Sequence, residues 1–334
     1  AASKFCNFFI KLYPTLVRRF PGFYGEFYRF SDRDHTWNSL YRTFIAPLMR
    51  GKIRELIIQK KPDIILSVFA LSGRIVMDAL DGMNLPGRIP VIVVVVDLFT
   101  IHFAWAEPRA NLVIAPTEEA KDQLVEYGVP SDRLLVSELP INPRFSEEIN
   151  PVDFRKEIDL RDDLFTVMIM GGGDGAGGID RTVKILKKAK LDVQVIAVAG
   201  RNKRLQNRLN RLKDKSDLPI RVFGFTDKIP ELMSISDVLI TKAGPMTLTE
   251  AISKELPVII VGWVPGQEEG NVQYVKSSNL GYVVRKKSEI VGILRRLIDG
   301  GSELDTIKAN IRERRRVLGA QKIANIVMSD SFQS

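Results

Sequence analysis

The sequence predicts an α/β protein built from two doubly wound domains. Three observations carry that reading. Short continuous apolar runs alternate with stretches of helical length, as buried parallel strands and their crossover helices do. Two glycine-bearing turns, residues 171–178 and Gly244-Pro245, each follow an apolar run and open a helical stretch. The 334 residues also exceed the usual size of one such domain.

The chain opens in an amphipathic stretch. Residues 3–30 mix bases with aromatics, and Phe5, Phe9, Leu12 and Leu16 fall at helical spacing beside Lys4, Lys11, Arg18 and Arg19. Such a segment either lies in a membrane interface or packs on its own domain. Residues 37–60 read as a helix, stopped before Lys61-Pro62. Strands follow at 63–69, 89–96, 111–115 and 134–136, with helices at 74–80 and 117–127. Thr117, backed by Glu118 and Glu119, opens the second helix, and Gly128 stops it. A doubly wound domain ordinarily begins with a strand, a glycine-rich turn and a helix. The amphipathic opening leads us to expect that the first βα unit of the N-terminal domain is absent.

Residues 140–151 hold three prolines and a charge cluster, and read as a linker. It divides an N-terminal domain, 1–143, from a C-terminal domain, 144–334. The second series has strands at 165–170, 193–199, 220–223, 238–241, 257–261 and 281–284. Its helices fall at 179–188, 202–213, 229–233, from Gly244 onward, at 288–297 and at 304–328. The last helix is expected to be able to cross back onto the first domain.

Composition narrows the function. The longest pure apolar run, 91–96, is far short of the ~20 residues of a membrane-spanning helix. The lone Cys6 excludes an internal disulfide and fits a reducing compartment. With two histidines and one cysteine, the chain argues against a His/Cys metal site. The formal net charge of +9 is concentrated at one end, residues 1–61 carrying 12 Lys/Arg against 4 acids. A local basic field implies an anionic partner, either nucleic acid or a membrane surface.

Candidate site residues cluster at predicted strand ends. A helix opening at Gly244-Pro245-Met246-Thr247 points free N–H groups and its dipole at an anion. Glu250, one turn in, suits the hydroxyls of a ribose. Gln267, Glu268 and Asn271 in a following loop suit a polyhydroxylated ring. Gly172 and Gly173 lie in a run whose bare backbone admits a pyrophosphate. Residues 173, 175 and 178 formally match a dinucleotide fingerprint, but the next strand ends in Gly200-Arg201-Asn202-Lys203, without the acid that NAD needs. Arg201 suits a 2′-phosphate, so an NADP-dependent oxidoreductase stays open, as does a non-catalytic nucleotide-sugar-binding protein. Arg201 or Lys203 could instead neutralise a diphosphate. Gly224-Phe225-Thr226 could hold a flat base. Asp97 and His102, after the most apolar strand of the first half, are candidate general bases.

Five strings in order resemble one family: MGGGDGAGG at 170–178, AGRNK at 199–203, GFT at 224–226, ITKAGPMTLTEA at 240–251 and PGQEEGN at 265–271. They look like the plant-type monogalactosyldiacylglycerol synthases and bacterial glucosyldiacylglycerol synthases, and the match extends more loosely through 62–68 and 95–105. The resemblance implies a GT-B fold, with two Rossmann-like domains facing across a cleft. It implies inverting transfer of a hexose, galactose or glucose, from a UDP-sugar to diacylglycerol, with no separate cofactor. Gly224 and Phe225 would meet uracil, and Glu250 the ribose. Gly173 and Gly244 to Thr247 would meet the diphosphate, and Gln267, Glu268 and Asn271 the hexose. The partners are then UDP-hexose, diacylglycerol and anionic lipids on the basic aromatic segment 3–61, and no nucleic acid. The location is a membrane surface facing a reducing compartment, a bacterial cytoplasmic face or a plastid envelope. The family's Gly-Gly-Gly-His loop, whose histidine is its favoured base, has no counterpart in this sequence. Either the start that carries it is missing from this sequence, which is the expectation, or the chemistry has moved to His102 or Asp97, or the protein is not catalytic.

Overall fold

The computed structural model describes residues 19–32, 34–85, 89–299, 301–315 and 318–329. The helical spacing expected of Phe5, Phe9, Leu12 and Leu16 lies outside them. The chain forms two compact units. One comprises residues 1–140, 264–270 and 319–334, the other residues 141–263 and 271–318. The 264–270 loop, which the sequence put in the second domain, groups with the first unit, and so does the C-terminal helix, for which a crossing back was the expectation.

The first unit begins with three helices, α1 (Pro21–Ser31), α2 (Asp34–Leu40) and α3 (Ala46–Lys60). The last two are one continuous run with a π turn at Tyr41–Ile45, which the helical pattern of 37–60 did not reveal. Lys61 closes α3 in the left-handed conformation, φ 45°, and Pro62 follows. Strands β1 (Ile65–Ser67), β2 (Val91–Val94), β3 (Leu112–Ala115) and β4 (Leu134–Val136) form a parallel sheet in that spatial order. Helices α4 (Ser72–Asp81) and α5 (Glu118–Glu126) are its crossovers. Thr117 caps α5, its side chain accepting from the Ala120 N–H.

Alternate residues of β2 serve opposite faces of this sheet. Val93 joins Trp105, Val113 and Leu124 in one cluster, while Ile92, Val94 and Ile114 form another with Ile323. Leu124 is fully buried, and truncating it to alanine costs about 2–5 kcal/mol. Ile323 lies on the last helix, α14 (Gly319–Val327). The sequence predicted one helix over 304–328; the structure breaks it after Arg314. The second piece starts at Gly319, where a Cβ would sit 2.4–2.5 Å from the carbonyl oxygens of Glu138 and Leu139. Only a bare backbone lets α14 start so close to the sheet.

The second unit is a six-stranded parallel sheet. In chain order its elements are α6 (Pro151–Glu157), β5 (Phe165–Met170), α7 (Ile179–Ala189), β6 (Val193–Val198), α8 (Lys203–Lys213) and β7 (Ile220–Phe223). Then come α9 (Ile229–Ser234), β8 (Val238–Thr241), α10 (Pro245–Ser253), β9 (Val258–Ile260), α11 (Glu269–Ser277), β10 (Gly281–Val283), α12 (Glu289–Asp299) and α13 (Gly301–Arg314). The spatial order is β10-β9-β8-β5-β6-β7. Strands β5 and β8 are neighbours whose crossovers run to opposite sides. Such a switch point opens a crevice beyond the strands' carboxyl ends.

Candidate functional site

The second unit holds a cavity of about 490 Å³ at that switch point. Each wall is a turn leaving a strand. After β5 the chain bends back on itself, Ala176 N–H donating to Gly171 O at 3.0 Å and Gly175 N–H to Gly172 O at 3.1 Å. This brings Gly172 and Gly173 to the wall. The turn after β6 braces them: Arg201 N–H donates to Gly173 O at 2.7 Å. Gly200 must be glycine, since its φ is +60° and a Cβ would lie 2.3 Å from that same oxygen. Lys287 fastens the far end of the loop, donating to Gly178 O at 2.9 Å and also to Gly177 O and Thr182 Oγ1. Burial lowers its pKa.

The opposite wall is the start of α10. Gly244 is its N-cap and Pro245 its first residue. Proline has no N–H to orphan, so Met246 and Thr247 carry the free donors. Leu248 N–H already bonds Gly244 O at 3.0 Å. Gly244 to Thr247, Lys242 and Glu250 all line the cavity. The Glu250 carboxylate has no hydrogen-bond or ion-pair partner among the described residues, and burial pushes its pKa up to about 7.

Gly224, Phe225 and Thr226 complete a third wall. Phe225 is 66% exposed and carries the Arg201 guanidinium over its ring, 4.5 Å from the centroid. It is a platform at the rim, not the core residue that a strand-end phenylalanine usually is. The floor comes from the supposed linker. A short 3-10 turn at Pro143–Ser146 brings Asn142 and the buried Phe145 to the cavity, held by Arg144 donating to Asp227 O at 3.0 Å. Residues 140–151 are thus partly packed wall and not only a spacer.

Other expected residues take different places. Asn202 caps α8, accepting from Leu205 N–H at 2.9 Å, and Lys203 turns to Gln206. Asn271 is 2% exposed and donates to Ala243 O at 2.9 Å, holding the peptide that leads into Gly244. Its position supports the α10 turn instead of lining the cavity. Glu268 is 3% exposed and accepts from Val264 N–H at 2.9 Å, bracing its own loop. Neither is among the residues that line the cavity of the second unit.

In the first unit, the turn after β2 places Asp97 half-buried. One carboxylate oxygen accepts from Trp105 Nε1 at 2.8 Å and the other from Gln267 Nε2 at 3.4 Å. Tyr24 donates to Gln267 Oε1 at 3.3 Å. Desolvation raises the Asp97 pKa against the effect of those two donors. His102, the other candidate base, packs between two elements of the same unit. It is 7% exposed, its Nδ1 accepts from Ala104 N–H at 3.0 Å, and its Nε2 lies 3.1 Å from Ser31 Oγ. Ser31 spends its own proton on Tyr28 O, so Nε2 carries the histidine proton. Burial lowers the imidazole pKa to about 4. The ring is a neutral strut between α1 and the turn after β2.

On α1, Phe23, Phe27 and Phe30 share one face with Phe20 before the helix, and each is 48–66% exposed. The other face packs inward: a Cβ on Gly25 would meet Pro265 at 2.7 Å, and Tyr28 is buried. No helix among the described residues is long and apolar enough to cross a membrane.

Two family models match the chain. The monogalactosyldiacylglycerol (MGDG) synthase model covers residues 1–141, and the glycosyltransferase family 28 C-terminal domain covers 166–325. MGDG synthase 2 of Arabidopsis thaliana is 32% identical over 265 residues, 77% of this chain and 56% of that protein. MGDG synthase 1 of the same plant is 35% identical over 260 residues, 75% of this chain and 48% of its own length. The chain thus spans about half the length of the relatives it matches. Among solved structures, MurG of Acinetobacter baumannii aligns with TM-score 0.61 at 17% identity, over 83% of this chain and 76% of that one. The UDP-GlcNAc 2-epimerase of Neisseria meningitidis, bound to UDP-GlcNAc, aligns with TM-score 0.64 at 17% identity, over 85% and 81%. These two likenesses establish the fold alone: two Rossmann-like units of the GT-B type. With both family models and the plant relatives taken together, the chain belongs to the monogalactosyldiacylglycerol synthase family.

Proposed function

We propose that the protein is an inverting glycosyltransferase that moves a hexose from a UDP-sugar to diacylglycerol at a membrane surface. One observation carries the donor half of this reading: an unpartnered half-buried carboxylate, Glu250, shares a cavity with the open N-terminus of α10. A desolvated carboxylate without partners is costly unless donors arrive with a ligand. The two ribose hydroxyls supply them. The diphosphate lies against Met246 and Thr247 N–H, Gly173 and Lys242, and uracil against Gly224 and Phe225 with Arg201 at the rim.

Asp97 is the proposed base. It takes the proton of the glycerol hydroxyl, whose oxygen attacks the anomeric carbon. The carbon–oxygen bond to the β-phosphate breaks, and its electron pair leaves on UDP. The α10 N-terminus stabilises that departing charge. Gln267, bonded to Asp97, is the loop's candidate for the hexose. The aromatic face of α1 enters the acyl boundary, and the bases of segment 3–61 meet anionic headgroups.

The test has two stages. UDP, and not NADP, should raise the melting temperature in a dose-dependent way. Product should then form from UDP-galactose or UDP-glucose with diacylglycerol. A UDP response without product would leave a nucleotide-sugar-binding protein and sink the transferase reading.

A further inference from the structure

The first unit contains a second cavity, of about 590 Å³, which the proposed transfer does not use. Its polar wall comes from Tyr41, Arg50, Arg54, Arg74, Asp78 and Arg109. Four guanidinium groups thus converge on a space lined by one carboxylate. Gathering like charges at the edge of a low-dielectric wall is unfavourable unless an anion joins them.

The pairing inside the cluster shows which charges are left over. Arg109 is saturated. It donates to Glu107 at 2.8 Å, to Asp81 at 2.6 Å and to Asp78 at 2.9 Å. Asp78 is claimed again by Tyr41 Oη at 2.7 Å and by Arg50 at a long 3.4 Å. Arg74 has only neutral neighbours in these contacts, the Asn38 side-chain oxygen and the Tyr41 ring, 5.3 Å from its centroid. Arg54 has no acidic partner among the described residues, and its buried Nε has no hydrogen-bond acceptor at all. Buried polar atoms are rarely left so, and an orphan at a cavity wall marks a place where an acceptor is expected.

We propose that this cavity binds a phosphate group, held by Arg50, Arg54 and Arg74. The planar forks of arginine match tetrahedral oxyanions through paired N–H donors, and three half-exposed guanidiniums suit a dianion. The cavity exceeds a bare phosphate in size, so it accommodates a monoester with a small organic group. The proposal stands whether or not the transfer chemistry does, because it uses none of the residues placed on donor, acceptor or base; Arg50 and Arg54 belong to the basic segment 3–61.

The test is thermal denaturation of the full chain at constant ionic strength, with saturating UDP present to fill the other cavity. Probes are inorganic phosphate and glycerol 3-phosphate, against chloride. A parallel arm measures binding to phosphatidylcholine vesicles with and without phosphatidate, which separates a soluble phosphate from a lipid headgroup. Arg54→Gln is the informative variant. Arg54 has no acidic partner to strand, so the variant's melting temperature without phosphate should equal or exceed that of the unaltered chain. Its phosphate affinity, in whichever arm responds, should fall about tenfold or more. Arg50→Gln should behave alike. The proposal is overturned if neither arm responds to phosphate, or if the response survives both substitutions unchanged.

Discussion

Gln267 donates through Nε2 to Asp97 Oδ1 at 3.4 Å, joining residues 170 positions apart in the chain. Each helps to define the other. Trp105 occupies the second oxygen of Asp97, and Tyr24 holds the far side of the Gln267 amide. Burial lifts the Asp97 pKa while the two donors restrain it. A base must be ionised to work, so activity should fall as pH drops through a value above the ordinary carboxylate range. Asp97→Asn should lower kcat about 10²–10⁴-fold with little change in the UDP-sugar KM. Gln267→Ala removes a donor to the ionised form and should move the acid limb upward. His102→Leu provides the contrast. It orphans the Ala104 N–H, so it should cost about 1–3 kcal/mol of stability, with kcat per folded molecule retained.

Glu250 ties ligand binding to pH. Its folded pKa of about 7 lies above the ordinary 4.5, so the folded state binds extra protons between those values. Its contribution to stability is therefore fullest below pH 4.5 and is lost as pH rises through 7. Glu250→Gln should raise the stability of the unliganded protein at pH 8 by up to about 3 kcal/mol, and leave it nearly unchanged at pH 4. Ribose hydroxyls favour the ionised carboxylate, so calorimetry should show UDP binding tightening from pH 6 to 8 with proton release. The variant should bind more weakly, with a flat profile. Equal affinity and equal slope would exclude the ribose role.

The glycine loop depends on a distant cation. Lys287 donates to two carbonyls and a hydroxyl at the loop's end. Lys287→Met keeps the stem and leaves those acceptors open, a loss of about 1–3 kcal/mol. Urea titration should show that loss, and UDP affinity should fall because the wall at Gly172 and Gly173 loosens.

Membrane docking should be separable from chemistry. Phe23→Ser and Phe27→Ser change side chains that are 66% and 48% exposed, so the fold should be unaffected. Each should reduce vesicle affinity by about 1–2 kcal/mol, roughly tenfold. Activity on a detergent-dispersed acceptor should persist. If vesicle binding is insensitive to both, α1 is not the docking face.

The strands were readable because each is a nearly pure apolar run between turn signals, and observed strands such as Phe165–Met170 match the expected limits. The cavity at the switch point follows from the same pattern. A parallel sheet delivers its turns to one edge, so residues as separate as Gly173 and Gly244 meet there. What the pattern hides is the direction of polar side chains in loops. Glu268, Asn271 and His102 have the composition of open ligands, yet each bonds a nearby backbone group through at least one atom, which only the three-dimensional path of the chain decides. Lys242 and Phe145 were missed for the opposite reason. One sits in a motif read for its glycine, the other in a stretch dismissed for its prolines. The helix that the spacing extends over 304–328 ends at Arg314 and resumes at Gly319, and the carbonyls that forbid a Cβ there come from residues 138 and 139.

The polypeptide passes from one unit to the other after Pro140, Trp263, Gly270 and Leu318. The half that leaves the ribosome first is therefore the half completed last. Until α14 emerges, Ile92, Val94 and Ile114 lack the cover of Ile323, and until residues 264–267 emerge, Tyr24 and Asp97 lack Gln267. During synthesis the second sheet can close while the first still waits with an apolar face open. A nascent chain arrested near residue 318 would hold a finished second unit while the first is still incomplete, and that intermediate is the one a chaperone would meet.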